Sequence, residues 1–202
     1  MTDKNFKIIG LTGQSGAGKS TVSKAFESFG VSVINADELA HKALKTDECK
    51  KSLAEAFGKG IFDEDGEVIR KALAKAAFSS KENTQKLNKA THPVIAKLAQ
   101  EEFETLKKQG AEAVVFDAPT LIESGLDAMC SLIVSVIADK SVRVQRIMKR
   151  DGLNLEEAML RLNAQQSDEF YTAKSDFIIE NNETEAKLRK TAEKLSKELF
   201  DE

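Results

Sequence analysis

The sequence has only two cysteines among its 202 residues, Cys49 and Cys130, far apart and in no C-x-x-C spacing. That scarcity excludes a disulfide framework and a cysteine-based metal site. Also missing is any apolar run near the ~20 residues needed to cross a bilayer. The strongest, Leu132 to Ala138, is strand-sized. The chain starts with charge and a short apolar run around Ile8, Ile9 and Leu11, which lacks the h-region of a secretory signal. There is no basic block either: 30 Lys+Arg are interspersed with 33 Asp+Glu for a net charge of -3, which argues against a general nucleic-acid surface. No internal repeat or low-complexity linker is found. These absences point to a soluble, cytoplasmic protein, one domain with room for insertions.

What is present begins at Gly13. The run Gly13-Gln14-Ser15-Gly16-Ala17-Gly18-Lys19-Ser20 satisfies G-x-x-x-x-G-K-[ST], between an apolar run, Lys7 to Leu11, and a helix-compatible stretch, Thr21 to Phe29. A glycine-rich turn at a helix N-terminus aims backbone N–H groups into one concavity, where the helix dipole favours the charge of a polyphosphate. Lys19 can then reach the terminal phosphates, and the Ser20 hydroxyl can ligate magnesium.

Strand-like runs alternate with helical segments, the pattern of an α/β fold whose parallel sheet is covered by helices. Strands are expected over 7–11, 31–35, 113–117, 132–138 and 176–180, all with mainly apolar interiors. The stretch from Glu38 to Gly110 has no convincing strand and exceeds one crossover helix, so part of it is expected to be a helical insertion. His92-Pro93 marks the start of its last helix, with Pro93 in the first turn and Gly110 as the stop. A second insertion follows the fourth strand: a helix over 141–150 closed by Gly152, then another opened by Asn154 with Glu157 in a capping arrangement. A terminal amphipathic helix over 184–200 carries Leu188, Ala192, Leu195 and Leu199 on its apolar stripe.

The loop alone does not separate kinases from GTPases, motors and sensors. The only Asn-Lys pair, Asn88-Lys89, is followed by Ala90-Thr91, which disfavours a guanine-reading N-K-x-D motif. A small-molecule kinase needs an acid at the acceptor hydroxyl and mobile cations around the transferred group. Asp37, just past the second strand, has the placement for that acid; its other reading is the N-cap of a helix beginning at Glu38. Asp117 ends the third strand as a magnesium-holding acid would, or initiates the turn at Pro119. Arg143, Arg146 and Arg150 share a helix face, either a solvated stripe or a lid that folds over phosphates and excludes water. His41 and His92 read as structural residues more readily than as proton carriers.

Together these pieces resemble the dephospho-CoA kinase family. The likeness runs through Leu11-Thr12-Gly13 with Gly16 to Thr21, Val33 to Asp37, Gly66 with Arg70 and Leu73, and His92-Pro93-Val94-Ile95. It continues through Asp117 to Glu123, Arg146 with Arg150-Asp151, Arg161 with Gln165, and Asp176 to Ile179 with Asn181-Asn182. It implies a P-loop NTPase fold and ATP-dependent phosphorylation of the ribose 3′-hydroxyl of dephospho-CoA. By the same likeness, residues 1–40, 111–139 and 172–202 form the nucleotide-binding core, 41–110 a helical substrate domain and 140–171 a lid. Asp37, Lys19 and Arg146 are then catalytic. ATP is bound by Gly13, Ser15, Gly16, Ala17, Gly18, Lys19, Ser20, Thr21, Arg146 and Asn181; the acceptor meets Asp37, Arg70, His92, Pro93 and Arg161. Mg2+ falls to Ser20 and Asp117. The implied partner is a small molecule rather than nucleic acid or membrane, with oligomeric state open and a monomer compatible. The chain departs from the pattern at Gln14, where the family usually has glycine, at Ser15 for Ile, and at Asn35 for an acid. Thr120 and Ile122 replace residues of a more apolar loop. Alternatives are a nucleoside or nucleotide kinase, or a nucleotide-binding regulator that changes shape without chemistry.

Overall fold

Runs of Ile, Leu and Val that have no polar face can be buried only between two layers, and here they build a central sheet. The computed structural model describes residues 6–200. Its strands are β1 (Lys7–Gly13), β2 (Ser32–Asn35), β3 (Ala113–Asp117), β4 (Leu132–Ile137) and β5 (Phe177–Glu180), in a five-stranded sheet of order β2-β3-β1-β4-β5. β1 is parallel to β3, with Leu11 opposite Asp117, and to β4, with Gly13 opposite Val136; β4 is parallel to β5. The fold expected from the sequence is therefore the observed one, with β1 running two residues further than anticipated.

The chain divides into two compact units, one comprising residues up to Ile34 with those from Thr105 onward, the other Asn35–Glu104. In the first, α1 (Lys19–Ser28) and α9 (Glu185–Phe200) pack with Ile9, Leu11, Val115, Val134 and Val136. The stripe Leu188, Ala192, Leu195 and Leu199 is buried as its spacing requires, each leucine contributing about 1.5–3 kcal/mol. Phe26 and Phe200 meet edge to face at 5.7 Å.

After β4 come α6 (Lys140–Asp151), α7 (Leu155–Asn163) and α8 (Asp168–Thr172), all within the first unit. Val144 and Ile147 of α6 pack on Ala158 and Leu162 of α7. Asn154 and Glu157 form the expected reciprocal cap, each side chain accepting the other's backbone N–H at 2.9 Å.

The second unit holds α2 (Ala36–Ala43), α3 (Asp47–Phe57), α4 (Arg70–Ala77) and the greater part of α5 (Lys81–Lys108). Its extended pairing among the described residues is one isolated antiparallel bridge, Phe62 with Val68, around a turn held by Asp63 Oδ1, which accepts from Asp65 N and Glu67 N. One expectation fails here. Pro93 does not open a helix; it lies inside the 28-residue α5. Ala90, Thr91, Val94, Ile95, Ala99 and Phe103 form a continuous buried face that carries the helix past it, while Pro93 and Lys89 are exposed. Water can there satisfy the Lys89 carbonyl that loses its partner, and tertiary packing overrides the local penalty. Among the described residues no helix is long and apolar enough to cross a membrane.

Candidate active site

The loop between β1 and α1 is shaped by close approaches that a side chain would block. Gly13 has φ 150°, and a Cβ there would collide with the Val136 carbonyl of β4. That carbonyl accepts the Gln14 N–H at 3.2 Å. Gly18 has φ 103° and occupies the N-cap of α1 without a side chain to satisfy the first-turn N–H groups. Its missing Cβ makes room for Asn181 Nδ2 and Leu188 Cδ2, which would lie at 2.6 and 2.8 Å. Since the first turn of α1 has no acidic residue, its donors and dipole favour an incoming anion.

Lys19 starts α1 and directs its Nζ to Asp117 Oδ1 at the end of β3, where Asp117 is 4% exposed. Asp117 is buried and Lys19 half-buried, and the positive charge of the lysine offsets the negative charge of the acid in this arrangement. Ser20, next along α1, is exposed, and Thr21 donates its backbone N–H to Gly18 O at 3.0 Å.

The arginines expected on one face of α6 have three different fates. Arg146 binds behind the loop: its Nη1 donates to Gly16 O at 3.3 Å and Asn181 O at 3.0 Å, its Nη2 to Asn181 Oδ1 at 3.3 Å and Glu183 O at 3.0 Å. Arg143 is 6% exposed and donates to Gln165 Oε1 at 3.2 Å. Burial lowers its pKa, opposed by Asp168 and Tyr171. Arg150 is exposed, donating to Asp151 at 2.7 and 2.9 Å and reaching Ser15 Oγ at 3.5 Å. Arg161, on α7, joins the same carboxylate at 2.6 Å. The Arg150 hydrogen bond, with charge from Arg150 and Arg161, holds Asp151 below the usual carboxylate range.

Asn181 is buried after β5, with Nδ2 donating to Ala17 O at 2.6 Å. The structure thus gathers Lys19 with Asp117, the loop with Arg146 and Asn181, and Arg161 with Asp151.

Five further candidates lie on three helices of the second unit, α2, α4 and α5. Asp37 and Glu38 sit in the first turn of α2, whose N-cap is Asn35: its Oδ1 accepts from Asp37 N at 2.8 Å and Glu38 N at 3.4 Å. The alternative of Asp37 as N-cap therefore falls; its exposed carboxylate is left over from capping. Arg70 is the exposed first residue of α4, and His92 and Pro93 lie mid-helix in α5. His41 is exposed at the end of α2.

Sequence reasoning gave no role to the neighbours that hold the loop: Gln165 entered only within the family likeness, and Asp168 not at all. Gln14 Nε2 donates to Asp168 Oδ1 at 2.6 Å, and Ser15 N donates to Gln165 Oε1 at 3.2 Å. Positions so far apart give no periodic signal; the traces are a polar residue within a glycine-rich turn and Gln165 in the family likeness.

Among the described residues no three His, Cys, Asp or Glu side chains form a metal-binding group. Mg2+ takes few protein ligands and completes its shell with phosphates and water, so the exposed Ser20 hydroxyl and the Asp117 carboxylate, here paired with Lys19, are oxygen donors of the kind it uses.

The dephospho-CoA kinase family model matches residues 7–187. A dephospho-CoA kinase of Corynebacterium glutamicum is 38% identical over 95% of this chain and 96% of its own. A crystal structure from Thermus thermophilus superposes with a TM-score of 0.81 at 32% identity, covering 97% of this chain and 99% of that one. A dephospho-CoA kinase from Campylobacter jejuni gives 0.64 at 28% identity, covering 97% and 98%.

Proposed function

The chain belongs to the dephospho-CoA kinase family, and on that premise we propose that it transfers the γ-phosphoryl group of ATP to the ribose 3′-hydroxyl of dephospho-CoA, giving coenzyme A and ADP. The observation that carries the reading is the uncapped, glycine-gated N-terminus of α1, with Lys19 and Ser20 in its first turn. In the reaction the acceptor oxygen bonds to the γ-phosphorus as the bond to the β,γ-bridging oxygen breaks, and ADP departs with that electron pair. Asp37 orients the hydroxyl and receives its proton, a role supported by a carboxylate not used in capping α2. Lys19 turns from Asp117 to the transferred group, and the loop N–H groups hold the remaining phosphate charge. Mg2+, held by Ser20 and Asp117, would supply neutralisation of the phosphate oxygens.

Arg146 backs the loop through Gly16 O and contributes positive charge beside it. Arg70, His92, Pro93 and Arg161 are assigned to the acceptor, the first three from the helical unit 35–104 and Arg161 from the lid over 140–171. A cytoplasmic setting is in keeping with the two unpaired thiols.

An ADP-coupled assay with dephospho-CoA, adenosine and nucleoside monophosphates tests the assignment. Turnover is expected with dephospho-CoA; preference for a nucleoside monophosphate, or no ADP with any acceptor, refutes it. Asp37→Asn should lose turnover by 100-fold or more, on the order of a general base's contribution, with ATP binding retained. Unchanged turnover would remove Asp37 from the chemistry.

A further inference from the structure

Gln14 is a long amide at the second position of a glycine-rich turn, yet only 2% exposed. Its Nε2 donates to the Asp168 carboxylate at 2.6 Å and lies 3.5 Å from Gln166 O. The next residue repeats the attachment, Ser15 N–H donating to Gln165 Oε1, which also accepts from Arg143 Nη1. Consecutive residues of the phosphate loop are thus fastened to the run Gln165 to Asp168, which leads from the α7–α8 connection into the first residue of α8. Hydrogen bonds to a carboxylate are the stronger kind.

The arrangement is not a well-satisfied polar core. Gln14 Oε1 and Arg143 Nε are buried without a partner among the described residues, and such groups cost free energy. An apolar residue at position 14 would avoid that cost. What the amide provides instead is position: it links the loop to the segment that carries Gln165, and Gln165 in turn orients Arg143.

We infer that Gln14 and Asp168 form a clamp that sets the shape of the phosphate loop for ATP, making Gln14 a positioning residue of this enzyme. The clamp acts on the nucleotide half of the reaction and leaves the acceptor half alone. The inference rests on the kinase reading only for the identity of the nucleotide, because binding can be measured without an acceptor.

The test is a set of variants: Gln14→Glu, Asp168→Asn, the combined Gln14→Glu/Asp168→Asn, and Gln14→Leu. Direct calorimetric titration with ATP and Mg2+ is read beside the steady-state constants and the melting temperature. Gln14→Glu faces one carboxylate with another and should weaken ATP binding on the order of tenfold, about 1.4 kcal/mol, with KM for dephospho-CoA within about twofold. The combined variant reverses donor and acceptor, so it should recover most of that loss. Gln14→Leu should raise the dissociation constant for ATP while keeping the melting temperature near that of the parent. Independent, additive effects of the two exchanges would overturn the clamp. So would ATP affinity unchanged in a folded Gln14→Leu, or a loss in melting temperature alone. Failure of the acceptor assay with normal ATP titration would instead strike the substrate assignment and leave the clamp standing.

Discussion

Replacing Gly18 by alanine should damage the protein far more than the addition of one methyl group suggests. At φ 103° the new side chain pays left-handed strain of about 1–2 kcal/mol. Its Cβ would stand 2.6 Å from Asn181 Nδ2 and 2.8 Å from Leu188 Cδ2, an overpacking cost of about 1–3 kcal/mol. If Asn181 yields, its hydrogen bond to Ala17 O is lost, about 0.5–1.5 kcal/mol. Reduced freedom of the unfolded chain returns about 0.4–1 kcal/mol. The net is a loss of about 4 kcal/mol, a large share of a typical stability of 5–15 kcal/mol. Gly110 is the control: φ is 87°, and a Cβ would meet nothing within 4 Å. Gly110→Ala should therefore cost about 1 kcal/mol, from strain alone. Urea unfolding of the two variants measures the difference, expected at about 3 kcal/mol. Equal midpoints and slopes would refute the argument that packing beneath the loop, and not its backbone angle, demands glycine. Because Asn181 also receives two hydrogen bonds from Arg146, ATP affinity should fall for Gly18→Ala and stay constant for Gly110→Ala.

Asn35→Ala removes the cap of α2 and should cost about 1 kcal/mol, whereas Asn35→Asp keeps an accepting oxygen and should stay within about 0.5 kcal/mol; chemical denaturation reads both. Asn154→Ala breaks the reciprocal cap with Glu157 and should lower stability by about 1 kcal/mol, with faster amide exchange in the first turn of α7. Burial pushes the Cys49 thiol up to about 11. The folded state keeps that proton where the unfolded state has lost it, so stability is full below the ordinary thiol range and falls as pH rises from there toward 11. Cys49→Ala should flatten that alkaline decline in the melting temperature; an identical decline would exclude the thiol as its source.

Much of the fold was legible because its strands are short apolar runs and its turns carry glycine. The capping arrangement at Asn154 was readable because donor and acceptor are close in sequence. The alternative reading of Asp37 as a cap arises because Asn35 and Asp37, two residues apart, offer the same chemistry, and the backbone angles and hydrogen bonds decide that Asn35 is the N-cap. Pro93 misled for a related reason: the local rule holds for an isolated helix, but six buried neighbours on one face decided otherwise. The grouping of Arg143, Arg146 and Arg150 followed from helical spacing. Their separate partners, Gln165, Asn181 and Asp151, depend on which loop each guanidinium meets, and spacing within α6 carries no such information.

The central position of β1 has a consequence for biosynthesis. It leaves the ribosome well before the strands on either side of it, β3 and β4, which begin roughly a hundred residues later. At translation rates of ~5–20 residues per second the nascent phosphate loop waits about 5–20 s for its flanking strands. Residues 35–104, which form a compact unit of their own, emerge during that delay. The phosphate loop is thus synthesised long before it acquires its binding shape, and a ribosome-stalled chain ending before residue 113 should carry the ATP motif without the ability to bind ATP.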